Sequence, residues 1–192
     1  RTVACGTCHL PAAGASDPRS ATSALALHPG ADGLFETPDD VLGSPGVPQS
    51  AADGTYVAHD DFGILPQATG RRARPASEAG YAANLFWDGR AGNQLVDPES
   101  SAVVLAAGAA LETQALAPIL NSTEMAHSAR EWTEVVARLE ASKPLALAED
   151  LPAELNDGIG GRSYPELFAL AFGTPEVTAT RIAMAIATYE RT

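Results

Sequence analysis

The sequence predicts an all-α domain with long irregular loops and little or no strand. Three observations carry this. Apolar residues recur at helical spacing in four segments of the second half of the chain. Glycine and proline punctuate residues 10–80 too densely for any long element, with Pro29-Gly30 and the run Gly43, Pro45, Gly46, Pro48 as the clearest breaks. Residues 102–105 form the only extended run that reads as a strand.

In chain order, residues 5–8 suit a short helix. Residues 10–80 read as mostly loop, and a loop that long inside a compact domain usually has a task. A short helix is expected over 111–117, stopped by Pro118. A second is expected over 129–140, with Trp132, Val135, Val136 and Leu139 on one apolar face. A third runs from Tyr164 to Phe172, with Pro165 in its first turn and Gly173 at its end. Thr178 can cap the last, which carries Ile182, Ala185, Ile186 and Tyr189.

The chain has 192 residues, enough for one large domain or one domain with long insertions. Its net charge of -12 excludes nucleic acid as a partner and disfavours an anionic membrane surface. No apolar run reaches the roughly 18 residues of a membrane span. Within the loop stretch, Asp32, Glu36, Asp39 and Asp40 gather four carboxylates. Calcium would suit them, but the spacing is not that of an EF-hand, and a solvated acidic loop is the expected reading.

Cys5-Gly6-Thr7-Cys8-His9 is a C-x-x-C-H motif and uses both cysteines of the chain. This is the signature of covalent c-type haem attachment, in which two thiols join the vinyl groups and the histidine ligates the iron. A zinc site would need a further ligand, with His28, His59 and His127 available, but three ligands within five residues make poor tetrahedral geometry. A redox dithiol would follow a strand, and nothing before Cys5 reads as one. The expected fold is therefore a cytochrome c-like haem domain. Such attachment takes place outside the cytoplasm, so a periplasmic or otherwise extracytoplasmic location is expected. Arg1 lies four residues before Cys5, and no stop signal follows the last helix, so both ends read as cut from a longer precursor.

Further motifs follow in order: Phe86-Trp87-Asp88-Gly89-Arg90-Ala91, Leu111-Glu112-Thr113-Gln114-Ala115, Glu124-Met125, and Ala185-Ile186-Ala187-Thr188-Tyr189-Glu190-Arg191-Thr192. With the C-x-x-C-H motif they resemble the bacterial di-haem cytochrome c peroxidase family, which includes the MauG-type enzymes. The likeness covers Cys5 to Thr192 and is to the N-terminal, peroxidatic haem domain. It implies reduction of hydrogen peroxide to water, with electrons from a small cytochrome c or a cupredoxin. The second haem domain would lie in the same precursor or in another chain, and a homodimer stays open. The acidic surface would suit a basic donor.

The resemblance also implies roles. His9 would be the proximal ligand, Glu124 the acid/base, Gln114 a distal amide that orients peroxide, and Trp87 the indole between the two haems. A core aromatic is the alternative for Trp87. Arg71, Arg72, Arg74 and Arg90 bracket this stretch, and Arg72 and Arg90 are the candidates for the haem propionates. A resting-state distal histidine matches His28, with His59 as runner-up. His127 follows Glu124 by three residues and could share a helix face with it. Residues 92–110 read as an insertion typical of a larger-loop subfamily. Ala73 stands near the place where the family has its calcium-binding asparagine, which argues against calcium by that route. The rival readings are a non-catalytic electron-transfer subunit and a MauG-like oxidation of a protein substrate.

Overall fold

The computed structural model describes residues 3–18, 27–76 and 78–192; residues 19–26 of the expected loop stretch lie outside them. Six α-helices occur among the described residues: α1 (Cys5–Cys8), α2 (Ala110–Leu120), α3 (Trp132–Glu140), α4 (Ala153–Ile159), α5 (Tyr164–Phe172) and α6 (Ala179–Glu190). Two short antiparallel pairs accompany them, β1 (Leu27–His28) with β2 (Val41–Leu42), and β3 (Leu95–Val96) with β4 (Val103–Leu105). The fold is thus mostly helical, as expected, but partly strand-containing, with strands of only two or three residues.

Two helix ends match their sequence signals. Ser163 and Glu166 cap α5 reciprocally, the Ser163 N–H donating to Oε2 of Glu166 at 2.8 Å, and Gly173 ends it at φ 81°. The Thr178 hydroxyl accepts the Arg181 N–H and starts α6. Two others differ. α2 runs through Pro118 to Leu120, because a proline so near the C-terminus forfeits only its own N–H bond. α3 begins at Trp132 rather than at 129, because Ala129 is left-handed at φ 57° and Glu131 is extended. α4 has no counterpart in the sequence reading; it ends on Gly160 at φ 56°, where the Arg162 guanidinium donates to the Gly158 and Ile159 carbonyls.

The helices enclose one small core. Trp132, Phe168, Val177, Ala179 and Ile182 are its buried members, and Leu116, Ile119, Val136, Leu139 and Phe172 pack around them. Each large apolar side chain buried there contributes about 1.5–3 kcal/mol relative to exposure. α6 also packs along α2, where the Arg191 guanidinium grips the buried Glu112 carboxylate at 2.7 and 2.9 Å. Residues 92–110 are not a loose insertion. Their β3–β4 hairpin buries Leu95 completely against α2, and Thr113 Oγ1 donates to the Gln94 carbonyl at 3.0 Å.

The stretch expected to be loop has little regular structure but a dense set of main-chain bonds. Residues 44–47 act as a spine. Ser44 N–H reaches the Arg71 carbonyl at 3.0 Å, Gly46 N–H the Gln67 carbonyl at 2.7 Å, and Val47 N–H the Thr123 carbonyl at 2.8 Å. The buried Gln67 amide donates to the Val47 and Ser122 carbonyls, and Cys8 Sγ sits 3.1 Å from the Pro45 carbonyl. Gly43 and Gly46 permit these approaches, since a Cβ at either would collide with the Thr69 or Thr123 carbonyl. One short strap thus ties the C-x-x-C-H turn, the arginine segment and the Glu124 turn together.

Candidate functional site

α1 places Cys5 and Cys8 one turn apart, so both thiols lie on one helix face. His9 closes the turn with its N–H on the Cys5 carbonyl at 2.8 Å. Its Nδ1 lies 2.8 Å from the Ala15 carbonyl. A carbonyl only accepts, so Nδ1 carries the hydrogen and Nε2 keeps its lone pair for a metal. These three residues are the donor set that a covalently held haem would use.

Glu124 sits in a turn after α2 that Asn121 organises. The Asn121 side-chain oxygen accepts the Thr123 and Glu124 N–H groups at 2.9 and 3.2 Å. Glu124 lines a cleft of about 320 Å³ with Thr69, Arg71, Arg90, Asn121 and Thr123. Desolvation pushes its pKa above the ordinary carboxylate value, against the opposing pull of Arg90, His9 and Arg71. Glu124 and His9 are therefore within electrostatic reach of each other.

The remaining candidates divide. Arg90 lines the cleft; Arg71 lines it too, whereas Arg72 is exposed and outside its lining. Gln114 is half-buried in the middle of α2 and does not line the cleft. Trp87 is 86% exposed, which removes the core-aromatic reading. His28 sits on β1 with its ring edge-on to Phe62, centroids 4.3 Å apart, and His59 rests against the same ring at 4.9 Å. The His28 Nδ1 accepts the Gly30 N–H, while its Nε2 is buried without a hydrogen-bond partner. Burial holds its pKa below the ordinary imidazole value, and the charges reaching it are those of Asp61 and His59.

His127 differs from its expectation. Residues 122–125 form a turn rather than a helix, so it shares no helix face with Glu124. It is buried, with Nε2 2.9 Å from Glu134 and Nδ1 2.9 Å from the Ser128 carbonyl, and fastens the first turn of α3. The acidic loop also turns inward on itself. Asp39 and Asp40 accept the N–H groups of Asp32 and Glu36, and Asp32 that of Leu34. Among the described residues, no three His, Cys, Asp or Glu side chains cluster as a metal site, and no helix is long and apolar enough to cross a membrane.

The model of the di-haem cytochrome c peroxidase family matches residues 1–192, the whole chain. The chain belongs to that family. Neither a curated protein nor a solved structure matches it. Membership in the di-haem peroxidase family makes the chain a haem-dependent oxidoreductase of cytochrome c type, concerned with electron transfer.

One further carboxyl near His9 escapes the sequence reading of this family member. Glu190, at the end of α6, is desolvated and held above the ordinary carboxylate value, within reach of the His9 charge. Its Oε2 is buried without a hydrogen-bond partner, and its charge also reaches the Cys5 thiol. The signal was available: Ala179, Ala183 and Ala187 form the buried stripe of α6, and Glu190 continues it at i+3. A raised folded-state pKa means that the folded chain holds the proton more tightly. The stability this gives is full below the ordinary value of 4.5 and is lost as pH rises through the raised value. Glu190→Gln is therefore expected to flatten the fall in melting temperature above about pH 4.5. A slope equal to that of the parent would show that Glu190 titrates as an ordinary surface carboxyl.

Proposed function

We propose that this chain is the peroxide-activating haem domain of a two-haem peroxidase, reducing hydrogen peroxide to two waters with two protons and two electrons. The observation that supports it most is Glu124: a desolvated carboxyl with a raised pKa, in a small cleft, within reach of the histidine that follows the two cysteines. A haem bound at Cys5, Cys8 and His9 would supply the iron and the electron storage. His9 holds its proton at Nδ1 on Ala15 and so offers Nε2 in a fixed orientation. Glu124 takes a proton from one peroxide oxygen and returns it to the other, a task for which a carboxyl lifted toward neutral pH is suited. By the family resemblance Gln114, which lies outside the lining of the Glu124 cleft, would orient peroxide, His28 would hold the resting iron, and Arg90 with Arg71 or Arg72 would balance the propionates.

Electrons enter through a second haem domain beside the exposed Trp87. The donor is a small basic cytochrome c or a cupredoxin, matched to the net charge of -12. The compartment is the periplasm or another extracytoplasmic space. The test is electron paramagnetic resonance of the haem-loaded protein together with its second haem domain, with that second haem alone reduced. A high-spin, ligand-accessible iron that reacts with one equivalent of peroxide is expected. A low-spin signal throughout, inert to peroxide, would overturn the proposal in favour of a non-catalytic electron carrier.

A further inference from the structure

Residues 85–91 form a tight turn closed by the Leu85 N–H on the Ala91 carbonyl at 2.9 Å. Phe86 and Gly89 adopt left-handed backbone at φ 68° and 67° to make it. Trp87 projects from this turn into solvent, while Arg90 lines the Glu124 cleft. Arg90 is held in two ways. Its Nη1 donates to both oxygens of Asp88, at 2.9 and 3.1 Å, and its guanidinium carbon lies 3.6 Å from the Phe86 ring centroid. The backbone N–H of Arg90 also approaches Asp88 Oδ1 at 3.4 Å.

A guanidinium beside a buried carboxylate normally closes on it as a bidentate ion pair. Here the partner of Arg90 is Asp88, not Glu124. The charges that reach Glu124 are those of Arg90, His9 and Arg71; Asp88 is not among them and does not line the cleft. A carboxylate locked to arginine would resist taking up a proton, and the shuttle assigned to Glu124 needs it to do so.

We propose that Asp88 is a positioning residue that restrains Arg90 against Phe86, so that Arg90 stands at the wall of the Glu124 cleft without pairing with Glu124. This deepens the peroxidase reading and rests on the acid/base role given there to Glu124. Asp88 acts only through Arg90. Freeing Arg90 and deleting Arg90 should therefore move Glu124 in opposite directions, which a merely structural role would not do.

The test measures the Glu124 titration in haem-loaded resting protein by the infrared C=O stretch of its protonated form, assigned by its loss in Glu124→Gln. The pH profile of peroxide turnover is read alongside. Asp88→Asn is expected to lower the Glu124 midpoint by about one unit, and Arg90→Gln to raise it by a similar amount. The double variant should match Arg90→Gln, and Asp88→Glu should stay near the parent. Arg90→Lys keeps the charge but loses the fork and the stacking, so it should shift Glu124 the way Asp88→Asn does, even if Asp88→Asn folds poorly. Shifts of the same sign in Asp88→Asn and Arg90→Gln, an additive double variant, or an unmoved midpoint in Asp88→Asn and Arg90→Lys would overturn the proposal. The infrared readout needs no turnover, so it separates failure of this restraint from failure of the peroxidase reading.

Discussion

Glu124→Gln is expected to cut peroxide turnover by about 10²–10⁴-fold while leaving haem attachment intact. That loss corresponds to roughly 3–5 kcal/mol in the barrier. The reason lies in what the substitution keeps and removes. Glutamine preserves the shape and the polar contacts of the turn set by Asn121. It cannot take up and release a proton. The groups proposed to anchor haem are elsewhere, on α1 and at His9 with its Ala15 partner, so the cofactor content should not change. The parent enzyme should lose activity on its acid limb with a midpoint above the ordinary carboxylate value of 4.5, because desolvation raises the group. The variant should lack that limb. A variant that turned over at the parent rate, measured by steady-state peroxide consumption with reduced small cytochrome c, would remove Glu124 from the mechanism.

The second large effect concerns the scaffold. Trp132→Ala should cost about 3–5 kcal/mol of folding stability, read as a drop in the urea midpoint with an unchanged slope. Trp132 is 6% exposed and packs in the cluster shared by α3, α5 and α6. Its neighbours Phe168, Val177 and Ile182 are themselves packed in that cluster, so they can fill the void only by giving up contacts of their own. Against a typical total of about 5–15 kcal/mol the loss is severe. Trp132→Phe keeps most of the apolar volume and should cost far less. A loss below about 1 kcal/mol for Trp132→Ala would mean that the core relaxes around the void.

The features legible in the sequence are those with a local cause. The Cys5–His9 turn is set by its own spacing. Ser163, Pro165 and Gly173 fix both ends of α5, and Thr178 fixes the start of α6. Where a distant partner decides, the sequence is silent. The start of α3 depends on Glu134 bridging the Glu131 N–H and His127, a contact across seven residues. β3 and β1 are two residues long and exist only because a partner strand pairs with them. Arg71 and Arg72 are equivalent by composition, yet only the backbone pairing of residues 67–73 with the spine decides which one meets the cleft. His127 looks like a pocket residue by its offset from Glu124, but the turn at 122–125 carries it to α3 instead. Trp87 was assignable by resemblance, but its exposure depends on the left-handed backbone of Phe86 and Gly89.

The two tryptophans stand in contrasting surroundings, Trp87 at 86% exposure and Trp132 at 6%. An indole in water and an indole among hydrocarbon emit at different wavelengths, so the chain holds two intrinsic fluorescent reporters. One is placed to sense whatever covers the 85–91 turn, the other to sense the integrity of the helical core. A macromolecule settling over Trp87 would blue-shift or quench the long-wavelength component alone. Unfolding would red-shift the short-wavelength component alone. In haem-free protein, where no porphyrin quenches either indole, coverage of the 85–91 turn and denaturation of the core can therefore be followed separately in one emission spectrum, without any added label.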